Sequence, residues 1–135
     1  MFAIKTEVKD PDAKTFRFDH QKTMYGGKQI AVGDQVFLFA SENEAGQGLV
    51  AVGVVTSAVA TPRRPDAERQ TPRVSIAVER HASAKKRLGR AELKSFTDWN
   101  DGRAETELNF KFYRQATNKI VRISEEAATF LSAFF

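Results

Sequence analysis

The sequence predicts an α+β domain built on a small, mostly antiparallel β-barrel of five or six strands, with short peripheral helices and a C-terminal helix. Short apolar segments with strand-like alternation recur along the chain, and polar stretches rich in Gly and Pro separate them. Residues 30–59 have the pattern of a hairpin whose strands are apolar on both faces, as in a closed barrel. With 135 residues, no internal repeat and no linker, residues 1–135 are predicted to form one domain.

The N-terminal part contains one weak strand signal and one open assignment. FAIKTE at residues 2–7 alternates and predicts a short strand, which the Asp-Pro-Asp sequence at 10–12 ends. Residues 14–21 fit a strand by the spacing of their phenylalanines, but a helical turn remains open. Tyr-Gly-Gly at 25–27 predicts a turn, because glycine adopts backbone conformations that other residues avoid.

The middle of the chain carries the clearest strand signals. Gly33-Asp34 predicts a turn, after which residues 35–40 alternate as a strand. A polar connection at 41–48 leads into an apolar, β-branched strand at 48–59. Residues 60–73 contain three prolines and four arginines and are predicted to be a loop. Alternation returns at 73–82, which is predicted to be another strand.

The C-terminal part is predicted to alternate between loops, a strand and a helix. Residues 85–96 indicate a loop and a short helix, interrupted near Gly89, and 98–102 are turn formers around the only tryptophan. NFKFY at 109–113 predicts a strand with its phenylalanines towards the core and its tyrosine outward. Residues 124–135 predict an amphipathic helix capped by Ser124.

The charge distribution suggests an anionic partner. The net charge is +4, and residues 80–94 hold six basic side chains and one acidic one. Residues 109–122 hold four basic side chains and no acidic one. Basic clusters attract phosphate backbones, although a single cluster is also compatible with an ordinary solvated face. Two clusters that flank an aromatic segment favour nucleic acid.

Several classes of function are excluded or not indicated. The chain has no cysteine, so thiol catalysis, disulfides and thiolate zinc sites are excluded, and we expect a cytoplasmic protein. The longest apolar run, at 49–55, is far too short to cross a membrane, so no membrane partner is expected. His20 and His81 lack ligand partners at recognisable spacing, and there is no phosphate loop or dinucleotide fingerprint. We therefore expect no metal and no cofactor.

Three segments, in order and spacing, resemble an EVE domain of the PUA-like superfamily, whose relatives include YTH and ASCH domains. FAIKTE at 2–7 is similar to the first strand of that family. VGDQVFLFAS at 32–41 resembles its Val-Gly-Asp strand, and VAVGVV at 50–55 resembles the apolar strand that follows. NFKFYRQATNKIV at 109–121, with the helix after it, resembles its last strand and closing helix. The likeness spans most of the chain.

The resemblance implies a PUA-like barrel with a pocket beside it that accepts a flipped, often modified, base, while a basic surface holds the backbone of DNA or RNA. The family's usual aromatic positions are altered here, since Phe2, Phe39 and Ala40 stand in those regions. The candidate ligand-binding residues are Lys5, Thr6, Tyr25, Phe39, Ser41, Trp99, Tyr113, Arg114, Gln115, Asn118 and Lys119. The candidate contacts to the nucleic-acid backbone are Arg63, Arg64, Lys85, Lys86, Arg87 and Arg90.

Each aromatic or polar candidate also has a structural interpretation. Trp99 can stack on a base at the pocket rim or pack against the barrel. Tyr113 can stack on a base or form a cross-strand surface pair. Four polar residues can read base edges or hold phosphates, or form a polar loop in which Asn118 caps a turn: Arg114, Gln115, Asn118 and Lys119.

Three functions follow from these observations. The first is a non-catalytic nucleic-acid-binding domain that recognises a modified or flipped base. The second is an ASCH-like ribonuclease, which would use the cluster of Lys5, Tyr113, Arg114 and Lys119. The third is a protein-interaction module that docks through loop 60–73.

Overall fold

Six strands close into a barrel in the computed structural model, which describes residues 1–44, 46–66 and 70–135. The strands are β1 (Phe2–Thr6), β2 (Thr15–Met24), β3 (Gln35–Ala40), β4 (Gly48–Ala60), β5 (Arg73–Ser83) and β6 (Lys119–Arg122). Around the barrel the order is β1-β3-β4-β5-β2-β6, and only the β1–β3 and β2–β6 pairs are parallel. The predicted, mostly antiparallel barrel is therefore confirmed.

The first half of the chain follows its local sequence signals. The predicted hairpin is β3 and β4, which pair antiparallel from Gln35↔Val54 to Ala40↔Gly48. The open assignment at 14–21 is resolved as part of β2, which bulges where its register to β5 shifts between Phe18 and Gln21. No helix or strand lies between Ala60 and Arg73 in the described residues, as predicted for loop 60–73, and residues 67–69 lie outside them.

Alternating side chains of the strands build two apolar cores. One fills the barrel interior and includes Phe2, Ile4, Val36, Leu38 and Ile120. The other lies between the barrel and the helices and includes Ala3, Phe37, Phe39, Phe112 and Val121. Successive residues of a strand point to opposite faces, so β1, β3 and β6 each contribute to both cores. This double burial explains why residues 36–40 and 49–55 of the central hairpin are apolar.

Short helices cover the outside of the barrel. They are α1 (Arg90–Leu93), α2 (Ala104–Asn109) and α3 (Glu125–Ser132), and 3-10 turns occur at Gly27–Gln29 and Glu42–Glu44. The predicted cap of α3 is confirmed, because the Ser124 hydroxyl accepts a hydrogen bond from the Ala127 amide at 3.1 Å. Among the described residues, none of these helices is long and apolar enough to span a membrane.

The predicted strand at 109–113 is wrong. Residues Phe110–Arg114 form a π-helical turn that continues α2, and Tyr113, which was expected to face outward, is buried. Phe110 and Phe112 satisfy strand alternation, but Leu108 and Phe112 are also one helical turn apart, and both are fully buried. The last strand is instead β6, which pairs with β1 and β2.

Glu107 joins α2 to the start of α3. Its carboxylate accepts hydrogen bonds from the Ser124 amide at 2.8 Å and the Lys111 ammonium at 3.0 Å, and also from the Ser124 hydroxyl. Burial alone would raise the pKa of Glu107, but the hydrogen bonds from Ser124 and Lys111 outweigh burial and lower it. The Glu107 carboxylate therefore holds together two segments, the helical segment that precedes β6 and the start of the C-terminal helix.

Candidate functional site

A polar cleft of about 350 Å³ opens at one end of the barrel, and we call it the barrel-end cleft. Three parts of the chain meet there: the connection after β3, the loop before β6, and the adjoining ends of β2 and β5. The lining residues are His20, Gln21, Lys22, Ser41, Asn43, Glu44, Arg73, Ala116, Thr117 and Asn118. Two predicted ligand-binding residues, Ser41 and Asn118, thus line the same cleft.

The connection after β3 is folded tightly against the barrel. The amide of Ser41 donates to the Thr6 carbonyl at 2.8 Å, which extends the parallel β1–β3 pairing by one step. The amide of Gly46 then donates back to the Ser41 carbonyl at 2.8 Å. A Cβ at Gly46 would lie 2.6 Å from the Ala40 and Ser41 backbone, so only glycine fits this close approach. Ser41 is consequently held at the base of the cleft.

A hydrogen bond joins the two loops that border the barrel-end cleft. The Asn118 side-chain amide donates to Glu44 Oε1 at 3.0 Å. This contact places a carboxylate next to an amide, and Ser41, which lines the same cleft, adds a hydroxyl. Such side chains can form paired hydrogen bonds with the edges of bases.

The ammonium groups of Lys5 and Lys119 hydrogen-bond to backbone carbonyls of the segment before β6. The two lysines are direct cross-strand neighbours in β1 and β6, and both are buried. The Lys5 ammonium donates to the Phe112 carbonyl at 2.8 Å, and the Lys119 ammonium donates to the Gln115 and Thr117 carbonyls at 3.0 Å each. Carbonyls at a helix C-terminus lack intrahelical partners and attract cations, so both lysines stabilise the end of the helical segment.

Burial of these two cations shifts their titration. Burial lowers the pKa of Lys119 to about 8. Burial also lowers the pKa of Lys5 to about 8, with further contributions from the positive charges of Lys119 and Arg90. In this structure the ammonium groups contact the protein's own carbonyls, and neither lysine lines the barrel-end cleft.

Tyr113 is enclosed between two cations. The Lys5 ammonium and the Arg90 guanidinium each lie 5.3 Å from the centre of its ring. Its hydroxyl is buried and has no hydrogen-bond partner of normal geometry among the described residues. Burial, and next the nearby carboxylate of Glu42, raise the pKa of Tyr113. The ring therefore packs inside the protein instead of presenting a face to solvent.

Three other candidates form an outer aromatic cluster around Phe110. Trp99 is 38% exposed, and its ring lies 5.5 Å from that of Phe110. The Arg114 guanidinium is 5.0 Å from both of those rings. Tyr25 packs against Phe110 from another side at 5.9 Å, with a left-handed backbone at φ 52°. None of Tyr25, Trp99 and Arg114 lines the barrel-end cleft.

Of the remaining ligand-binding candidates, two are buried in the barrel wall and one is exposed on the loop before β6. Thr6 and Phe39 are buried behind the cleft, and the Phe39 ring lies 5.1 Å from that of Phe112. Gln115 is exposed on the loop before β6. Of the cluster expected for a ribonuclease, Lys5, Tyr113 and Lys119 lie close together but are buried. Arg114 lies apart from them, with its guanidinium over Trp99.

Five of the six predicted backbone contacts lie in two further clefts. The larger, the side cleft, has a volume of about 830 Å³ and combines Lys9, Lys85, Lys86 and Arg87 with the acidic Glu7, Asp12 and Glu44. The other, the arginine cleft, has a volume of about 620 Å³, and its charged described lining residues are Lys28, Arg63, Arg64 and Arg73. Arg90 lies in neither cleft, because its guanidinium packs over Tyr113.

Sequence reasoning missed eight of the ten described lining residues of the barrel-end cleft, among them His20, Lys22, Arg73 and Thr117. The first three come from β2 and β5, which the parallel β2–β6 pairing brings beside the loop before β6. That pairing joins segments far apart in the chain, and no local pattern announces it. Of these four, only Thr117 had a local signal, because it lies within the polar break between Arg114 and Ile120.

Comparisons with known proteins identify the fold. No family model matches the sequence, and no curated protein sequence matches it. The DUF55 domain of human thymocyte nuclear protein 1 superposes with a TM-score of 0.64 at 16% identity, over 98% of this chain and 96% of that one. Human THYN1 protein in complex with DNA containing 5-methylcytosine gives 0.65 at 18% identity, over 98% and 95%. A Pseudomonas putida protein gives 0.65 at 16% identity, over 98% and 97%. The predicted barrel with peripheral helices and a C-terminal helix is thus confirmed, and it has the fold of the DUF55 domain.

Proposed function

We propose that this chain is a nucleic-acid-binding domain that reads a flipped or modified base at the barrel-end cleft. The observation that carries the proposal is the composition of this cleft, where Ser41, Asn43 and Asn118 supply hydrogen-bonding groups and Lys22 and Arg73 supply positive charge. A second observation supports the proposal: a protein of the same fold, human THYN1, forms a complex with DNA containing 5-methylcytosine.

The chemistry of the cleft suits recognition of a base and its phosphates. Side-chain amides can both donate to and accept from a base edge, which is how they discriminate between bases. Extrusion of a base from a stack costs a few kcal/mol, which contacts in a fitted cleft must offset. The cations at the cleft add attraction for phosphates that does not depend on sequence. No step of bond cleavage is needed for this function.

Replacing Asn118 with alanine should weaken binding of nucleic acid by roughly five- to tenfold, because one amide that contacts a base edge contributes about 1 kcal/mol or more. The measurement is fluorescence anisotropy with labelled DNA and RNA, single-stranded and duplex, with and without 5-methylcytosine, at low salt. The matched control is Asn100→Ala, which removes an exposed amide from a turn that borders none of the three clefts. Failure of the wild type to bind any of these ligands would contradict the proposed function.

Replacing Glu44 with glutamine should strengthen binding by about fivefold. Glu44 lines both the barrel-end cleft and the side cleft, so its charge repels a phosphate that approaches either one. Removal of one such repulsion near the surface corresponds to about 1 kcal/mol. The gain should shrink as salt is added, because the repulsion is screened. Glu125→Gln, at the exposed start of α3, is the control, and an unchanged or lower affinity of Glu44→Gln would contradict this expectation.

A further inference from the structure

The arginine cleft is the most uniformly basic of the three clefts described above. Its charged lining residues among the described residues are Lys28, Arg63, Arg64 and Arg73, all exposed, with no acidic side chain among the lining residues. Arg73 also lines the barrel-end cleft, so the two clefts are contiguous. Cations gathered in one concave surface produce a local positive potential that attracts anions.

The backbone around this cleft is held in place by specific hydrogen bonds. The Gln70 side chain brackets Arg64 by accepting from the Arg64 amide at 2.9 Å and donating to the Arg64 carbonyl at 2.5 Å. The base of the loop is closed by the Thr61 amide, which donates to the Arg73 carbonyl at 2.9 Å. The Arg73 guanidinium donates to the His20 carbonyl at 2.7 Å. The cations therefore project from a braced backbone, although Arg64 also lies 3.7 Å from Asp66 at the surface.

The side cleft offers a weaker attraction, even though the sequence around it is richer in basic residues. Its four cations share the cleft with three carboxylates, and Arg87 is also 3.6 Å from Glu92. Opposite charges in the same cleft largely cancel at the distance of a bound phosphate. The summed charge of the described lining residues thus favours the arginine cleft over the side cleft.

We infer that the nucleic-acid strand that carries the read base leaves the barrel-end cleft through the arginine cleft, where Arg63, Arg64, Arg73 and Lys28 bind its phosphates. This inference rests on the proposed function and adds the direction of the strand. The occupant is a phosphodiester backbone, because a cleft whose charged described lining residues are four cations suits repeated negative charge.

The test is the salt dependence of binding for three double variants that each remove two positive charges. Arg63→Gln/Arg64→Gln should weaken binding to single-stranded oligonucleotides at least tenfold at low salt. It should also reduce the slope of log Kd against log salt by about 1.4, since each lost phosphate contact on a single strand accounts for about 0.7. Lys85→Gln/Lys86→Gln should reduce the slope by less than half of that amount. Arg17→Gln/Lys94→Gln, exposed cations outside the three clefts, should leave it unchanged.

Different results overturn different claims. If all three double variants lose affinity and slope equally, only net charge matters and the arginine cleft is not a path for the strand. A larger loss in Lys85→Gln/Lys86→Gln than in Arg63→Gln/Arg64→Gln would place the strand in the side cleft instead. If the wild type binds no oligonucleotide at low salt, the proposed function itself fails. Thermal denaturation of each variant shows whether it is folded before binding is compared.

A length series gives an independent measurement of direction. Oligonucleotides extended only 5′ or only 3′ of a single 5-methylcytosine should differ, because the arginine cleft adjoins the barrel-end cleft on one side only. Extension in one direction should raise the affinity of the wild type, and Arg63→Gln/Arg64→Gln should abolish this gain. Equal gains in both directions, unaffected by the double variant, would overturn the inference.

Discussion

Phe112→Ala is expected to lower the free energy of unfolding by about 3–5 kcal/mol, the range for removal of a large aromatic side chain from a packed core. Phe112 is fully buried between the barrel and the helices, and its ring packs against that of Phe39. The space left behind is bordered by the barrel on one side and α2 and α3 on the other, which limits how far it can collapse. Urea denaturation followed by circular dichroism measures the change.

Phe130→Ala is the matched control for this prediction. Phe130 lies on α3, is only partly buried and packs at the edge of the same core, so its truncation should cost about 1–2 kcal/mol. Because Phe112 lines none of the three clefts, the folded fraction of Phe112→Ala should retain its affinity for nucleic acid. A cost for Phe112→Ala no greater than that for Phe130→Ala would show that the helical segment at 104–114 does not cover the barrel as described.

Elements with a strong local signal could be predicted from the sequence. The β3–β4 hairpin is marked by Gly33-Asp34 and two apolar strands, and α3 is marked by a serine cap followed by glutamates. The segment at 109–113 could not be assigned in this way, because Phe110 and Phe112 fit a strand while Leu108 and Phe112 fit a helix. Packing of α2 against the barrel decides between the two periods, and packing is not visible in a short window of sequence.

The candidate site was predictable only in part, for a related reason. Ser41 and Asn118 lie in polar breaks next to apolar strands, and the resemblance to EVE domains pointed to both breaks. Arg73 enters the cleft through the pairing of strands distant in the chain, which leaves no local trace. The burial of Lys5 and Lys119 could not be predicted either, because lysine is rarely buried and is expected at the surface. Their carbonyl partners exist only once the helical segment before β6 has folded.

The burial of Lys5 and Lys119 leads to a pH-dependent stability of defined sign. The pKa of each lysine is about 8 in the folded protein and about 10.5 in an unfolded chain, so the unfolded state binds more protons between these values. Below pH 8 both lysines are charged in both states, and the full cost of burying the charges is present. As the pH rises from about 8 to 10.5, this cost is removed and the folded state gains stability. The change for the pair is on the order of 3 kcal/mol, after allowance for solvent screening.

The double variant Lys5→Met/Lys119→Met isolates this effect from the other groups that titrate in the same range. The free energy of unfolding of the wild type, minus that of the double variant, should increase between pH 7.5 and pH 10. Urea denaturation at several pH values measures this difference. Lys14→Met/Lys94→Met, which removes two exposed lysines, is the matched control. A difference between wild type and Lys5→Met/Lys119→Met that decreases with pH would show that folding raises the pKa of the two lysines instead of lowering it. A difference that stays constant with pH would show that the two ammonium groups remain solvated. In that case they would be available to a ligand at the cleft, instead of being committed to the carbonyls of Phe112, Gln115 and Thr117.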